Sequence, residues 1–74
     1  MVYTSEERVL HVRFNGRSFD VPLATLDVGA RSRDSDVKWN LARHLDVSPA
    51  RLDDYVIDRH SNGNLTIRPE AVFG

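Results

Sequence analysis

Two neighbouring segments near the start of the chain alternate strictly between apolar and polar positions. The apolar positions are Leu10, Val12 and Phe14 in the first segment and Phe19, Val21 and Leu23 in the second. This period of two predicts two β-strands with one apolar side each. Asn15-Gly16 separates them, and both residues tolerate the positive φ of a type I′ turn. A two-residue loop there sets Val12 opposite Phe19, so the apolar sides coincide and a hairpin is predicted.

A helix is predicted in the middle of the chain, after a connecting loop over residues 26–33. Val37, Leu41 and Leu45 recur every four residues and form one helical stripe. Asp34 or Ser35 is predicted to cap this helix at its start.

Trp39 lies about 200° around the predicted helix from Val37, so it points away from the apolar stripe. The pattern favours a Trp39 side chain that forms a lid, that is, one that packs over a sheet edge or a neighbouring loop. The alternative is an exposed aromatic anchor for a protein partner.

A second hairpin is predicted near the end of the chain. Ser48-Pro49 indicates an N-cap and the first position of one short helical turn, which ends at Leu52. A three-residue loop at 61–63 pairs Ile57 with Ile67 and gives Gly63 the left-handed position. Pro69 cannot donate to a ladder, so the last strand is expected to stop there.

The resulting order is strand, strand, helix, short turn, strand, strand, and it resembles the β-grasp fold of the ubiquitin-like superfamily. The resemblance implies an α+β fold, ββαββ, with one main helix packed on a mixed four-stranded sheet. It also implies that the first and last strands lie side by side. The predicted organisation is a flexible N-terminus at 1–7, one β-grasp domain at 8–68, and a projecting tail at 69–74.

A modifier or sulfur carrier of this superfamily is activated at a C-terminal glycine, which here corresponds to Gly74. The resemblance implies an E1-like adenylating enzyme as partner, with an E2-like enzyme or a processing protease beside it. Arg68, Val72 and Phe73 are then candidates for recognition of the tail. Family members usually end in Gly-Gly, so Phe73 before Gly74 implies a wider or apolar channel in the partner. Lys38 is the only lysine. This scarcity fits a modifier, in which it would limit self-conjugation, and it fits equally the codon usage of a GC-rich genome.

The alternative function is a non-covalent adaptor or regulatory subunit. Its predicted contacts are Trp39, Arg13, Arg59 or the tail. Four arginines would converge on one sheet face if the outer strands are neighbours; they are Arg13, Arg17, Arg59 and Arg68. There they would form either an ordinary solvated face or a docking site for an acidic partner.

Composition narrows the classes of function. The apolar share is 41% and the charged share 28%, as in an ordinary globular domain. Ten basic residues face eleven acidic ones, which argues against nucleic-acid binding. There are no cysteines, no signal-peptide pattern at the start and no apolar run of membrane-spanning length. We therefore expect a cytoplasmic monomer that binds neither membrane nor cofactor.

Residues of catalytic or metal-binding type are present but dispersed. Three histidines, His11, His44 and His60, fall on different predicted elements without metal-ligand spacing, so no metal site is expected. Asp58, His60 and Ser61 lack the pocket and oxyanion hole that a nucleophilic triad requires. The sequence therefore predicts a protein that is not an enzyme.

Overall fold

The computed structural model describes residues 7–70 and consists of one helix on a four-stranded sheet. The elements are β1 (Val9–Phe14), β2 (Arg17–Pro22), a first 3₁₀ turn (Leu23–Leu26), α1 (Asp34–Leu45), a second 3₁₀ turn (Pro49–Leu52), β3 (Tyr55–Arg59) and β4 (Leu65–Pro69). The strand order is β2-β1-β4-β3. β1 and β4 run parallel, and both hairpins are antiparallel. The predicted β-grasp-like ββαββ arrangement is therefore confirmed.

Both hairpins have the predicted registers. Val12 pairs with Phe19 in the first hairpin, whose turn residues Asn15 and Gly16 have φ of 58° and 79°. Ile57 pairs with Ile67 in the second hairpin. Gly63 has φ of 92° in its three-residue loop, a conformation that residues with a Cβ rarely adopt. Local turn chemistry thus sets both registers.

The core lies between α1 and one face of the sheet. Its fully buried centre includes Leu10 and Val12 of β1 together with Val37 and Leu41 of α1. Phe19, Ile57 and Leu45 are partly buried against that centre. Within residues 7–70 no polar or charged residue is buried, so the domain is held by one continuous apolar layer.

β2 ends earlier than the alternation predicts. The expectation that Leu23 continues the strand is wrong, because the strand ends at Pro22 and Leu23 opens a 3₁₀ turn. Leu23 donates its backbone N–H to the Arg8 carbonyl over 2.9 Å. Leu23 and Leu26 are both buried. A turn places two leucines of this spacing on one side, so both join the core.

The helix also begins differently from the prediction. Its N-cap is Arg33, in extended conformation, and no side chain caps it. The predicted cap Asp34 lies in the first turn, where its carboxylate accepts from the guanidinium of Arg59. An acidic residue at this end still favours the helix dipole, so Asp34 stabilises the helix start without capping it.

β4 ends at Pro69, as predicted. Glu70 nevertheless donates its N–H to the carbonyl of Asp54 over 2.9 Å, so the chain stays attached to the start of β3. The predicted tail residues Val72, Phe73 and Gly74 lie outside the described residues. No helix found in residues 7–70 is long and apolar enough to cross a membrane.

Candidate partner-binding surface

Trp39 is the only large apolar residue of the described segment that is exposed, with 56% of its surface accessible. The expectation that it forms a lid is therefore wrong. Val37 and Leu41 turn the opposite side of α1 towards the core and are fully buried. The apolar stripe of α1 packs against the core without Trp39. The helix geometry therefore places the indole on the solvent-facing side.

The second 3₁₀ turn builds one side of a groove next to this indole. Ser35, Lys38, Trp39, Pro49 and Asp53 line the groove, which has a volume of about 310 Å³; these five residues are the Trp39 surface. Leu52 is fully buried and fixes the turn to the core. Ser48 caps it, since its Oγ accepts from the N–H of Ala50 over 3.3 Å.

The Trp39 surface combines apolar area with charges of both signs. The indole and the ring of Pro49 supply apolar area, while Lys38 and Asp53 supply opposite charges. An apolar anchor inside a polar rim is the usual composition of a protein–protein contact. The arrangement can therefore hold a partner's apolar side chain and orient it with polar contacts.

The face of the sheet opposite α1 carries polar and charged side chains; we call it the open sheet face. Its members alternate with the core residues along their strands and include His11, Arg13, Asp20, Asp58, Thr66 and Arg68, with His60 just beyond β3. Arg68 Nε donates to Asp58 Oδ2 over 2.8 Å. His11 Nδ1 lies 2.8 Å from Asp20 Oδ1. An ion pair thus joins β3 to β4, and a histidine–carboxylate contact joins β1 to β2.

The predicted convergence of four arginines on one face is wrong. Arg59 shares a side of β3 with Ile57, on the helix side of the sheet, whereas Arg68 lies on the open sheet face. Arg17 lies four positions before the core residue Val21, on the same side of β2, so it too is not on the open sheet face. Only Arg13 and Arg68 of the four remain on it, because side chains alternate between faces at every residue.

Arg59 instead ties a loop to the sheet. Its Nη1 donates to the Ala30 carbonyl over 2.7 Å, and its Nη2 donates to the Ser32 carbonyl over 2.7 Å. The same Nη2 forms an ion pair with Asp34. A planar guanidinium with several donors suits this use. Arg59 therefore fixes the connection between the first 3₁₀ turn and α1.

Arg13 lines a different hollow, at the turn between β1 and β2. This hollow has a volume of about 250 Å³ and also includes Phe14, Arg17 and Pro69. Arg51 stacks its guanidinium over the Phe14 ring at 5.2 Å from the centroid. β1 and β4 are parallel, so the turn lies at the end of the sheet where β4 finishes.

The structure brings two histidines together that sequence reasoning kept apart. The rings of His11 and His60 lie edge to face, with centroids 6.5 Å apart. This contact could have been predicted from the sequence. The alternation of β1 assigns His11 to the side opposite the core, and the expected pairing of β1 with β4 brings the second hairpin next to it. Among residues 7–70 there is no group of three or more His, Cys, Asp or Glu side chains that could hold a metal ion.

Comparison with known proteins gives no match: no protein-family model, no curated protein and no solved structure is similar to the chain at a significant level. The Trp39 surface combines exposure of a large apolar side chain with a groove and charges of both signs. It is the strongest candidate for a contact with another protein.

Proposed function

We propose that this chain is a ubiquitin-like protein-interaction domain that other proteins bind at the Trp39 surface. The observation that supports the proposal is the 56% exposure of Trp39 in a domain whose other large apolar side chains are buried or partly buried wherever the structure describes them. A tryptophan exposed to this degree leaves apolar area in water, and a partner that covers it gains binding free energy.

The groove limits what kind of partner side chain fits. Trp39 and Pro49 supply the apolar part of its lining, and Lys38 and Asp53 supply charges of opposite sign. A short apolar or aromatic side chain of the partner would pack against the apolar part, while polar atoms next to it would meet the two charges. The contact is non-covalent and needs neither a cofactor nor a pocket deep enough for catalysis.

The test begins with a photo-reactive residue at Ser35, which lines the groove and is exposed. A partner cross-linked there is purified and its affinity is measured with the unmodified chain. Trp39→Ala should weaken binding by about 30-fold or more, the loss expected of a hot spot of 2 kcal/mol. Trp39 is the only tryptophan, so its emission should shift to shorter wavelength when the partner covers it.

His44→Ala provides the matched control, because His44 is exposed on the same helix and lies about 140° around it from Trp39. This variant should keep the affinity within about two-fold. Both variants should keep the thermal midpoint of the unmodified chain within a few degrees. If Trp39→Ala and His44→Ala bind equally well, the Trp39 surface is not the contact.

A second candidate is a covalent modifier or carrier whose Gly74 carboxylate is activated. The observation that favours it is the scarcity of acceptor amines: nine of ten basic residues are arginine, and the only lysine, Lys38, is half-buried. In such a reaction the carboxylate attacks the α-phosphorus of ATP, pyrophosphate leaves, and an enzyme thiolate then displaces AMP to form a thioester.

The two candidates differ in their need for Gly74. A chain with a free Gly74 carboxylate should form an ATP-dependent, thiol-sensitive adduct with an E1-like adenylating enzyme, and deletion of Gly74 should abolish that adduct. Trp39→Ala serves as a comparison, since it leaves the carboxylate intact. An adduct that survives deletion of Gly74 would remove the modifier hypothesis, whereas partner binding at the Trp39 surface would be unaffected by the deletion.

A further inference from the structure

We propose that the outer edge of β3 binds the same edge of a second copy of this chain, so that two four-stranded sheets join across a two-fold axis. The contact consists of main-chain hydrogen bonds between two antiparallel β3 strands. It lies at the edge of the sheet, whereas the Trp39 surface lies on α1 and the second 3₁₀ turn. It therefore does not depend on the function proposed above.

The hydrogen bonds between β3 and β4 show which main-chain groups of β3 point outwards. The His60 N–H donates to the Asn64 carbonyl, and the Glu70 N–H donates to the Asp54 carbonyl, both over 2.9 Å. These bonds lie at the two ends of the β3–β4 register. In an antiparallel pair every second residue directs both its N–H and its C=O to the partner strand. The even-numbered residues of β3 therefore face β4.

The odd-numbered residues of β3, namely Tyr55, Ile57 and Arg59, direct their N–H and C=O groups away from β4. In the described sheet β3 has a neighbouring strand on one side only. Within residues 7–70 these outward main-chain groups form no hydrogen bond. A row of unpaired donors and acceptors on an extended strand is a template for another strand.

The opposite edge of the sheet, β2, is less suited to pairing. Phe19 and Val21 face β1, because the same alternation runs from the bond of Leu23 to the Arg8 carbonyl. The outward positions of β2 are therefore Ser18, Asp20 and Pro22. Proline has no N–H to donate, and Asp20 adds a carboxylate, two features that discourage strand addition.

The charges of β3 do not protect its edge in the same way. Asp58 forms an ion pair with Arg68, and Arg59 forms one with Asp34. Because both charges are paired within the chain, neither has to be left without its counter-ion when another strand approaches.

A second copy is the proposed occupant because the edge of β3 is complementary to itself. When two copies pair antiparallel about Ile57, this residue faces its own counterpart, and Tyr55 faces Arg59 of the second copy. Each outward N–H and C=O group then obtains a partner. An interface of this kind is isologous, since the same residues contribute from both sides of the two-fold axis.

The side chains also match in this register. The two Ile57 side chains, each partly buried against its own core, meet at the axis, and Tyr55 can pack on the aliphatic stem of Arg59. One residue beyond, Asp54 of each copy lies opposite His60 of the other, so a carboxylate meets an imidazole at both ends of the contact.

Analytical ultracentrifugation of the tag-free chain tests the proposal between about 10 μM and about 1 mM. We expect a reversible dimer that dissociates on dilution, because a contact through one five-residue strand is small. A chain that remains monomeric at about 1 mM would overturn the proposal. Trp39→Ala should dimerise as the unmodified chain does; loss of the dimer in this variant would assign the contact to the Trp39 surface instead and would also overturn it.

The outward N–H of Ile57 can be removed without any change of side chain. Chemical synthesis of the chain with a methylated Ile57 amide deletes one donor from each copy, and it should weaken dimerisation at least about 10-fold. Methylation of the Ser18 amide is the matched control, because this N–H points outwards from β2; it should leave the dimer unchanged. Circular dichroism establishes that both chains are folded. Equal dimer affinities of the two methylated chains would refute pairing through β3.

Two substitutions at Val56 separate dimerisation from folding. In the dimer Val56 lies opposite Asp58 of the second copy, whereas within its own chain it pairs with Arg68. Val56→Glu should therefore weaken the dimer, and Val56→Lys should strengthen it, while the contact with Arg68 changes the stability of the monomer in the opposite sense. Ultracentrifugation measures the first effect, and thermal melts of the dilute chain measure the second. A Val56→Lys dimer no tighter than the Val56→Glu dimer would exclude the proposed register.

Discussion

Replacement of Leu41 by alanine tests whether α1 and the sheet share one apolar layer. Leu41 is fully buried at the middle of the helix stripe. The change deletes three carbon atoms, which costs about 2.4 kcal/mol at about 0.8 kcal/mol per buried methylene. The cavity that remains raises the total to about 3–4 kcal/mol, within the range of buried Leu→Ala changes.

This loss is large for a chain of 74 residues. At about 0.05–0.15 kcal/mol per residue the free energy of unfolding is about 4–11 kcal/mol. Leu41→Ala should therefore remove about a quarter or more of the free energy of unfolding. Each kcal/mol shifts the thermal midpoint of so small a domain by about 4–8 °C, so the midpoint should fall by about 12–30 °C.

Urea unfolding followed by far-ultraviolet circular dichroism measures this loss, with thermal melts as a second readout. Leu45→Ala is the matched control, because Leu45 lies on the same stripe but is only half-buried. It should cost about 1–2 kcal/mol, since less apolar area is exposed to water. A loss below 1.5 kcal/mol for Leu41→Ala (roughly half the expected value), or a loss no larger than that of Leu45→Ala, would refute the shared layer.

Two further predictions concern the turns and the loop before the helix. Gly63→Ala should lower the free energy of unfolding in urea more than Gly16→Ala does. Both glycines have positive φ, but of the two only Gly63 would bring an added Cβ against a side chain, that of Arg8. Equal losses for the two variants would contradict this. Arg59→Lys should raise amide hydrogen exchange at residues 30–34, because an ammonium cannot replace the guanidinium bonds to two carbonyls there; unchanged exchange would show that the loop is held otherwise.

Local patterns predicted the strands, both turns and the helix because each depends on residues close in the chain. Asn15-Gly16 and Gly63 provide the positive φ that their turns require. The alternation around them then leaves only one register that keeps apolar side chains on one face. The same logic failed at Leu23, where a proline ended the strand and a 3₁₀ turn buried the side chain instead.

The candidate sites were less predictable, since their members are distant in sequence. His11 and His60 are 49 residues apart by their numbers and meet only because β1 lies beside β4. Arg59 and Asp34 are 25 positions apart and pair across the domain. The periodicity correctly pointed Trp39 away from the core, but its exposure among residues 7–70 was a property of the packed domain.

The sequence by itself determined which side of each element is apolar and where the chain reverses, because side-chain period and turn conformation are local properties. Tertiary structure decided which polar side chains share a face and which apolar side chain stays in water. Those outcomes depend on strand order and on the packing of the second 3₁₀ turn against α1. Long-range pairing brings such residues together, and no short window of sequence contains both partners.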